Sequence, residues 1–154
     1  RKIAAGKEFP FFVLSPQCPE GSRWSSEKLY HLIRHIVDRY PVDEKRIYIT
    51  GLSMGGYGTW DLLASHPGLF AAAVPICGGG APWVARVIRD TPVWVFHGAR
   101  DEVVPIAESE QMVEAIRTAG GHVRFTVYPE AGHDAWTVTY DNPELYDWML
   151  EQSR

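Results

Sequence analysis

The sequence predicts an α/β fold in which a mostly parallel sheet of about five strands carries helices on both faces. Short apolar or β-branched runs alternate with amphipathic helical segments along the chain, and Gly and Pro residues separate them. No repeat, low-complexity segment or linker interrupts this alternation, so we expect a single domain over residues 1–154. Strand–helix alternation in turn implies parallel strands joined by right-handed helical crossovers.

The first strand and the first helix are predicted near the amino-terminal end. Residues 9–15 (FPFFVLS) form a continuous apolar run before the turn-rich residues 16–21, which favours a buried strand and then a loop. Ser25 or Ser26 is expected to cap the helix, and Pro41 to end it. The apolar positions between them recur every three or four residues, as on one buried helix face: Leu29, Leu32, Ile33, Ile36, Val37 and Tyr40.

The rest of the chain repeats this pattern. Apolar or β-branched runs predict strands over residues 46–50, 71–77, 92–97 and 122–128. Helical spacing predicts helices over residues 54–66, 105–119 and 142–151. Pro or Gly residues lie at the ends of these helices, where they start or stop a helical turn.

Composition and charge argue against several classes of protein. With 45% hydrophobic and 22% charged residues, the chain is typical of soluble globular proteins. A formal net charge of −4 argues against a nucleic acid or an anionic membrane as the main partner. No stretch approaches the roughly 18 apolar residues of a membrane span, and no signal peptide is visible, which leaves the compartment open. Cys18 and Cys77 lack CxxC spacing and a His/Cys cluster, so we expect no metal site.

A serine lies between two glycines in the stretch YITGLSMGGYG. Gly51, Ser53 and Gly55 fit the pattern G-x-S-x-G, directly after a predicted strand and at the start of a predicted helix. This is the setting of a nucleophile elbow, in which bulk at either glycine is expected to strike neighbouring backbone. The helix N-terminus behind the serine favours developing negative charge. A glycine-rich turn without chemistry is the alternative interpretation.

A nucleophilic serine needs a base and an orienting acid. His133 lies in a small-residue loop directly after the last strand, where α/β sheets gather their sites. Asp101, which follows the strand at 92–97 and precedes a helix, is the candidate acid. Its alternative role is to stabilise the start of that helix, and Glu102 and Asp134 are the alternative acids. The order Ser53, Asp101, His133 is the chain order expected of α/β-hydrolases.

Three segments carry a resemblance to a known family. Residues 40–58 (YPVDEKRIYITGLSMGGYG), 97–105 (HGARDEVVP) and 128–136 (YPEAGHDAW) resemble the phospholipase/carboxylesterase-type and predicted-peptidase branch of the α/β-hydrolase superfamily. The likeness runs from about Phe9 to the end of the chain. It implies a trimmed α/β-hydrolase domain that hydrolyses carboxylic esters through an acyl-enzyme, without metal or cofactor.

The resemblance also implies roles for individual residues. By motif, Ser53 is expected to be the nucleophile, His133 the base, Asp101 the acid and the Met54 N–H one oxyanion donor. Dienelactone-hydrolase-like proteins share the scaffold and use a cysteine as nucleophile, and Ser53 at the elbow argues against that chemistry here.

The amino-terminal part departs from the family pattern. Upstream of a segment like residues 9–15, members of the family carry further strands and an H-G-x-G-type loop. That loop supplies the second oxyanion N–H, and nothing in this sequence matches it. In the usual strand order a missing strand would separate residues 9–15 from residues 46–50. We therefore expect either that these two strands pair directly or that a partner chain fills the gap, with a homodimer through the exposed sheet edge.

The predicted pocket is aromatic. Trp24, Tyr57, Trp83 and Trp136 are candidate substrate-binding residues, with core packing as the alternative for each. No segment is long enough for a lid domain, which favours small soluble esters with short acyl groups. Two further hypotheses are a serine peptidase or an esterase for feruloyl or sugar-linked esters, and a catalytically weak hydrolase remnant that acts as a binding or dimerisation module.

Overall fold

The computed structural model describes residues 10–154, and these form four β-strands and six α-helices. In chain order the elements are α1 (Ser26–Val37), β1 (Tyr48–Leu52), α2 (Met54–Ser65), β2 (Ala72–Ile76), α3 (Ala85–Ile88), β3 (Val93–Gly98), α4 (Ala107–Thr118), β4 (Val123–Tyr128), α5 (Trp136–Asp141) and α6 (Pro143–Glu151). Short 3₁₀ helices at Glu44–Arg46 and Pro82–Val84 precede β1 and α3. Within residues 10–154 no helix has the length and apolar character needed to cross a membrane.

The four strands form one parallel sheet in the order β1-β2-β3-β4, with α2, α3 and α4 in the connections. Leu52 lies opposite Ile76 in the register, and Gly98 lies opposite Tyr128, so the strands end together at one edge. The loops that leave this edge are therefore close to one another in space. The predicted α/β-hydrolase architecture is confirmed.

The two faces of the sheet have separate apolar cores. Ala73 and Val95 belong to a cluster that includes side chains of α2, α3 and α4. Val74 and Trp94, next to them in the chain, belong to a second cluster that includes Leu145 of α6. Because successive strand residues point to opposite faces, these two clusters lie on opposite sides of the sheet. Helices thus cover both faces, as the sequence predicts.

The prediction of a strand over residues 9–15 is wrong for the residues that the structure describes. Phe9 lies outside them, and residues 10–15 form no strand. Phe12, Val13 and Leu14 are 68%, 55% and 43% exposed, although Phe11 packs against Tyr48 of β1 at a ring-centroid distance of 5.8 Å. An apolar run becomes a strand only when neighbouring backbone supplies hydrogen-bond partners. Among the described strands β1 pairs with β2 alone, so the sheet has four strands and the expected direct pairing is absent.

The strand predicted at residues 46–50 lies two residues further along the chain, at β1. The side chain of Asp43 accepts a hydrogen bond from Lys45 N and caps a 3₁₀ helix over Glu44–Arg46. Arg46, the first residue of the predicted strand, is therefore part of this helix. The strand begins only after this turn, so that Ser53 follows its last residue directly.

Candidate active site

Ser53 occupies a strained turn between β1 and α2. Its φ is 51° and its ψ is −119°, in a region that residues with a side chain rarely adopt. The turn is held by a bond from Ser53 N to Ile76 O (3.0 Å) and by one from Gly56 N to Ser53 O (2.8 Å). A side chain at Gly51 would overlap the carbonyl of Gly55, so only glycine fits there. The predicted elbow geometry is present.

The second glycine of the motif is not required for space. A Cβ atom at Gly55 would meet only Trp24 Nε1, at 3.8 Å, so the expected clash at Gly55 is wrong. The close approach is at the next residue, since a Cβ at Gly56 would lie 2.8 Å from Ile76 O. It is therefore Gly56 that allows α2 to start so near the end of β2.

His133 lies between Ser53 and Asp101. Its Nε2 is 2.8 Å from Ser53 Oγ, and its Nδ1 is 2.8 Å from Asp101 Oδ2. Because an ionised carboxylate only accepts hydrogen bonds, Nδ1 carries the proton, and Nε2 then accepts from the serine hydroxyl. The Asp101 side chain is fully buried, whereas His133 is 20% exposed and reachable from solvent. The structure thus brings the three predicted residues together in the order serine, histidine, aspartate.

Asp101 is held as a carboxylate by several donors. Its Oδ1 accepts from the amides of Val103 and Val104, each at 2.9 Å. Burial opposes the charge, but the hydrogen bonds from His133 and from these two amides outweigh it, and the pKa of Asp101 lies below its ordinary value. The carboxylate is therefore fixed in position and ionised at neutral pH.

The loops that carry Asp101 and His133 are bonded to each other. Ala99 N donates to Tyr128 O and Arg100 N donates to Ala131 O, both at 2.9 Å. A side chain at Gly98 would overlap the carbonyls of the loop after β4, so this contact has no room to spare. The acid and the base are consequently set in one bonded unit.

The alternative acids lie elsewhere. Asp134 accepts hydrogen bonds from Thr137 N and Thr137 Oγ1, both at 3.0 Å, and thereby stabilises the first turn of α5. Glu102 is exposed. The acid that contacts His133 is Asp101.

Two residues next to these three were not singled out as site residues by the sequence. Cys77 follows β2, is fully buried and has a φ of 41°, and its Sγ, an Asp101 oxygen and a His133 nitrogen all lie within 4.8 Å of one another. Burial raises the pKa of the Cys77 thiol to about 11. His97 Nε2 is 3.2 Å from Asp101 Oδ2. Their only signal in the sequence is that each ends a strand at the loop-bearing edge of the sheet.

Among residues 10–154, Cys77, Asp101 and His133 form the group of side chains close enough together to hold a metal ion. Metal ions bind the thiolate rather than the thiol, and a pKa of about 11 keeps Cys77 protonated at neutral pH. The facing atoms of Asp101 and His133 are hydrogen-bonded to each other. This arrangement fits proton transfer at Ser53 better than metal binding.

The four candidate pocket residues have different surroundings. Trp136 contacts the ring of His133, and Tyr57 lies half-exposed on α2, one turn after Ser53. Trp24 packs against Gly58, where a Cβ would lie 2.9 Å from its ring. Trp83 is 82% exposed and lines a groove of about 640 Å³ against α4, whose lining includes no residue of the serine–histidine–aspartate set. Trp83 is therefore the candidate that lies apart from the serine–histidine–aspartate set.

Met54 is the first residue of α2 and is 44% exposed. The first amides of a helix have no partner within the helix. The Met54 N–H is thus free of intrahelical bonds directly beside Ser53, where the sequence predicts an oxyanion donor.

Residues 24–147 match the dienelactone hydrolase family. A protein of Methylorubrum extorquens, provisionally assigned as a carboxymethylenebutenolidase, is 34% identical over an alignment of 108 positions, and the match covers 59% of this chain and 34% of that protein. Acyl-protein thioesterase 1 of Gibberella zeae is 30% identical over an alignment of 141 positions, and the match covers 82% of this chain and 57% of that protein. The chain thus spans about a third to three fifths of the length of these relatives.

Solved structures share the fold. A thermostable esterase superposes with a TM-score of 0.86 at 43% identity, covering 90% of this chain and 43% of the esterase. SOBER1 of Arabidopsis thaliana superposes with a TM-score of 0.68 at 18% identity, covering 81% of this chain and 61% of SOBER1.

Proposed function

The chain belongs to the dienelactone hydrolase family, and from that premise we propose that it hydrolyses carboxylic esters through an acyl-enzyme formed on Ser53. The observation that carries the proposal is the pair of 2.8 Å contacts from His133 to Ser53 Oγ and to Asp101 Oδ2. A serine on a strained turn, a base within hydrogen-bonding distance and a buried acid behind it are the parts that acyl transfer needs.

In the proposed reaction His133 moves the protons. Its Nε2 takes the proton of Ser53 as Oγ attacks the ester carbonyl, and then gives it to the departing alkoxide. Water attacks the acyl-enzyme by the same steps in reverse, releasing the acid. The Met54 N–H stabilises the negative charge on the tetrahedral intermediates, with help from the N-terminus of α2.

Asp101 has an orienting role in this proposal. Its carboxylate keeps the proton on His133 Nδ1, so that Nε2 faces the serine as an acceptor. It also stabilises the imidazolium that forms when His133 takes a second proton. The lowered pKa of Asp101 supports this role, because the carboxylate stays ionised throughout the pH range in which His133 acts.

The proposal assigns the nucleophile to serine rather than to cysteine. Ser53, not a cysteine, stands at the turn between β1 and α2. The neighbouring thiol, Cys77, is buried and has its pKa raised to about 11, which leaves almost no thiolate at neutral pH. Small soluble esters with short acyl groups are the proposed substrate class.

A sugar-linked ester is the second candidate substrate. The bifunctional acetylxylan esterase/xylanase XynS20E of Neocallimastix patriciarum is 27% identical over 101 residues, covering 66% of this chain and 14% of that protein. The exposed ring of Tyr57 and the half-buried ring of Trp136, which contacts His133, offer flat surfaces against which a sugar could pack. The ratio of kcat/KM for acetylated xylose and p-nitrophenyl acetate separates the two substrate classes.

Hydrolysis of p-nitrophenyl acetate and butyrate tests the proposed function. We expect turnover by the chain as it stands, its loss in Ser53→Ala, and mass spectrometry that finds the acetyl group on Ser53. Ser65→Ala is the matched control, because it removes an exposed hydroxyl at the other end of α2. A folded protein with no turnover above the Ser53→Ala level would overturn the proposal and favour a binding or dimerisation module.

A further inference from the structure

A second histidine contacts the same carboxylate oxygen that His133 contacts. His97 Nε2 lies 3.2 Å from Asp101 Oδ2, and the two side chains have no exposed surface. Asp101 Oδ2 is therefore shared by His133, which faces the solvent side, and by His97, which lies entirely within the protein. A buried group so close to the proposed acid acts on its position and charge.

The other nitrogen of His97 is bonded to α4. Its Nδ1 is 2.8 Å from Ser109 Oγ, and Ser109 Oγ donates to the carbonyl oxygen of Gly78 at 3.0 Å. A hydroxyl has one proton, and Ser109 uses it on Gly78. Toward His97 the serine oxygen can then only accept, which requires a proton on Nδ1.

The neighbours of Nε2 show that this nitrogen is protonated too. Its two neighbours are Val104 O at 2.9 Å and the Asp101 carboxylate at 3.2 Å, and neither has a proton to donate. Nε2 must therefore carry a proton as well. With a proton on Nδ1 alone, Nε2 would face two other acceptors. With a proton on Nε2 alone, Ser109 would have to donate to Nδ1, and its oxygen would then face the Gly78 carbonyl with no proton between them. Either pair of facing acceptors is costly in a buried place.

We propose that His97 is a positioning residue for Asp101 and that it carries a proton on both ring nitrogens. It joins two sets of hydrogen bonds, from the Gly78 carbonyl through Ser109 to His97 and from Asp101 through His133 to Ser53, by the 3.2 Å contact of its Nε2 with Asp101 Oδ2. This inference rests on the proposed function for its effect on rate, but not for the state of protonation. The cation on His97 balances the buried carboxylate and fixes it for His133.

The positive charge has a predictable effect on the pH profile. The titratable groups around Asp101 are His97, His133 and the Cys77 thiol, with Tyr57 and Glu108 at the rim of the cluster. Removing a cation beside Asp101 makes protonation of His133 easier. The acidic limb of kcat/KM against pH is therefore expected to move to higher pH when His97 loses its charge.

Three substitutions test the positioning role. His97→Asn keeps an amide near Ser109 but loses the contact with Asp101, and we expect kcat to fall about 10- to 100-fold with KM little changed. His97→Gln places an amide near the position of Nε2, so we expect part of the rate to return while the acidic limb stays displaced. Ser109→Ala removes the acceptor for Nδ1 without touching Asp101, and the same displacement of the limb is expected.

The controls separate positioning from mere packing. Thr118→Ala changes an exposed hydroxyl at the end of α4 and is expected to leave the profile unchanged. If His97→Asn and Ser109→Ala lower only the melting temperature and leave the acidic limb in place, the positioning role is refuted.

The protonation state of His97 can be measured by NMR without any catalytic turnover. In protein labelled with ¹⁵N-histidine, with His97→Gln used for assignment, we expect both ring nitrogens of His97 to carry protons at about pH 7.5. A bare ring nitrogen on His97 in an active enzyme would overturn the inference alone. A doubly protonated His97 in an inactive protein would support the hydrogen-bond assignment and overturn the proposed esterase function instead.

Discussion

Trp136 packs edge-to-face against His133, with ring centroids 5.3 Å apart and ring planes at 88°. Since Trp136 begins α5, the end of that helix and the ring of the proposed base are in direct contact. The contact limits rotation of the imidazole about its side-chain bonds. Trp136 is thus placed to keep His133 Nε2 directed at Ser53 as well as to line a pocket.

Loss of this ring contact is expected to slow the reaction. Aromatic pairs contribute about 0.5–1.5 kcal/mol beyond their buried area, so Trp136→Ala should lower kcat/KM by about 2- to 12-fold. Trp136→Phe keeps a ring at the position and should recover most of the rate. Steady-state kinetics with p-nitrophenyl acetate measure both, and equal losses in Ala and Phe variants would contradict the ring contact as the cause.

Asp101 and Asp134 provide a matched pair of substitutions. Asp101→Asn removes the charge that orients His133, and in another hydrolase with this set of residues the same change lowers kcat about 10⁴-fold. Asp134→Asn affects only the first turn of α5, so we expect nearly unchanged kcat and a loss of stability of about 1 kcal/mol or less. A severe loss of activity in Asp134→Asn with a mild one in Asp101→Asn would reverse the assignment of the acid.

The lowered pKa of Asp101 predicts a pH-dependent stability. In the unfolded chain an aspartate titrates at about 3.9, so as the pH falls the unfolded state takes up this proton first. The stabilisation is complete above the unfolded value and is lost as the pH falls through the lower folded value. Urea unfolding from about pH 6 to about pH 3 should show a steeper loss in the wild type than in Asp101→Asn. Parallel curves for the two proteins would refute this prediction.

Gly51 and Gly55 are predicted to differ in tolerance although both belong to the motif. Gly51→Ala places a methyl group on the Gly55 carbonyl and should prevent folding or destabilise the chain severely. Gly55→Ala has room and lies in a helix, so stability should be unchanged or should rise by about 0.5–1 kcal/mol. Thermal unfolding compares the two variants, and a Gly51→Ala protein as stable as the wild type is the contrary result.

Cys77 is expected to be unreactive in the folded protein. With its pKa raised to about 11 and no exposed surface, it should resist iodoacetamide at about pH 8 and react only after unfolding. Peptide mass spectrometry separates Cys77 from Cys18, the other buried free cysteine. Rapid modification of Cys77 with loss of esterase activity would argue for cysteine rather than Ser53 as the nucleophile.

The sequence predicted the features that depend on local pattern. The alternation of strands and helices placed Ser53, Asp101 and His133 after three different strands, and parallel pairing then brings the ends of these strands to one edge. The α/β-hydrolase recognition and the helices on both faces are confirmed. The roles of the site residues, the single domain over residues 1–154 and the homodimer stay predictions.

The features that the sequence missed depend on distant partners. Residues 10–15 have the composition of a strand but pair with none of the four described strands. The short helices α3 and α5 contain too few residues for a periodic pattern. The contact of His97 in β3 with Ser109 in α4, and those of Cys77 with the proposed acid and base, join segments that are distant in the chain, and no single stretch of sequence encodes them.

The close contact at Gly98 restricts how this protein can diverge. Because the loops after β3 and β4 are bonded to each other without spare space, an insertion in either would separate Asp101 from His133. Surface segments away from such contacts accept insertions readily. The connection between β2 and α3 is also closely packed where it begins, since a side chain at Gly78 would meet the backbone of Gly56. The exposed Trp83 lies beyond this contact, and an insertion there would leave the acid–base pair undisturbed.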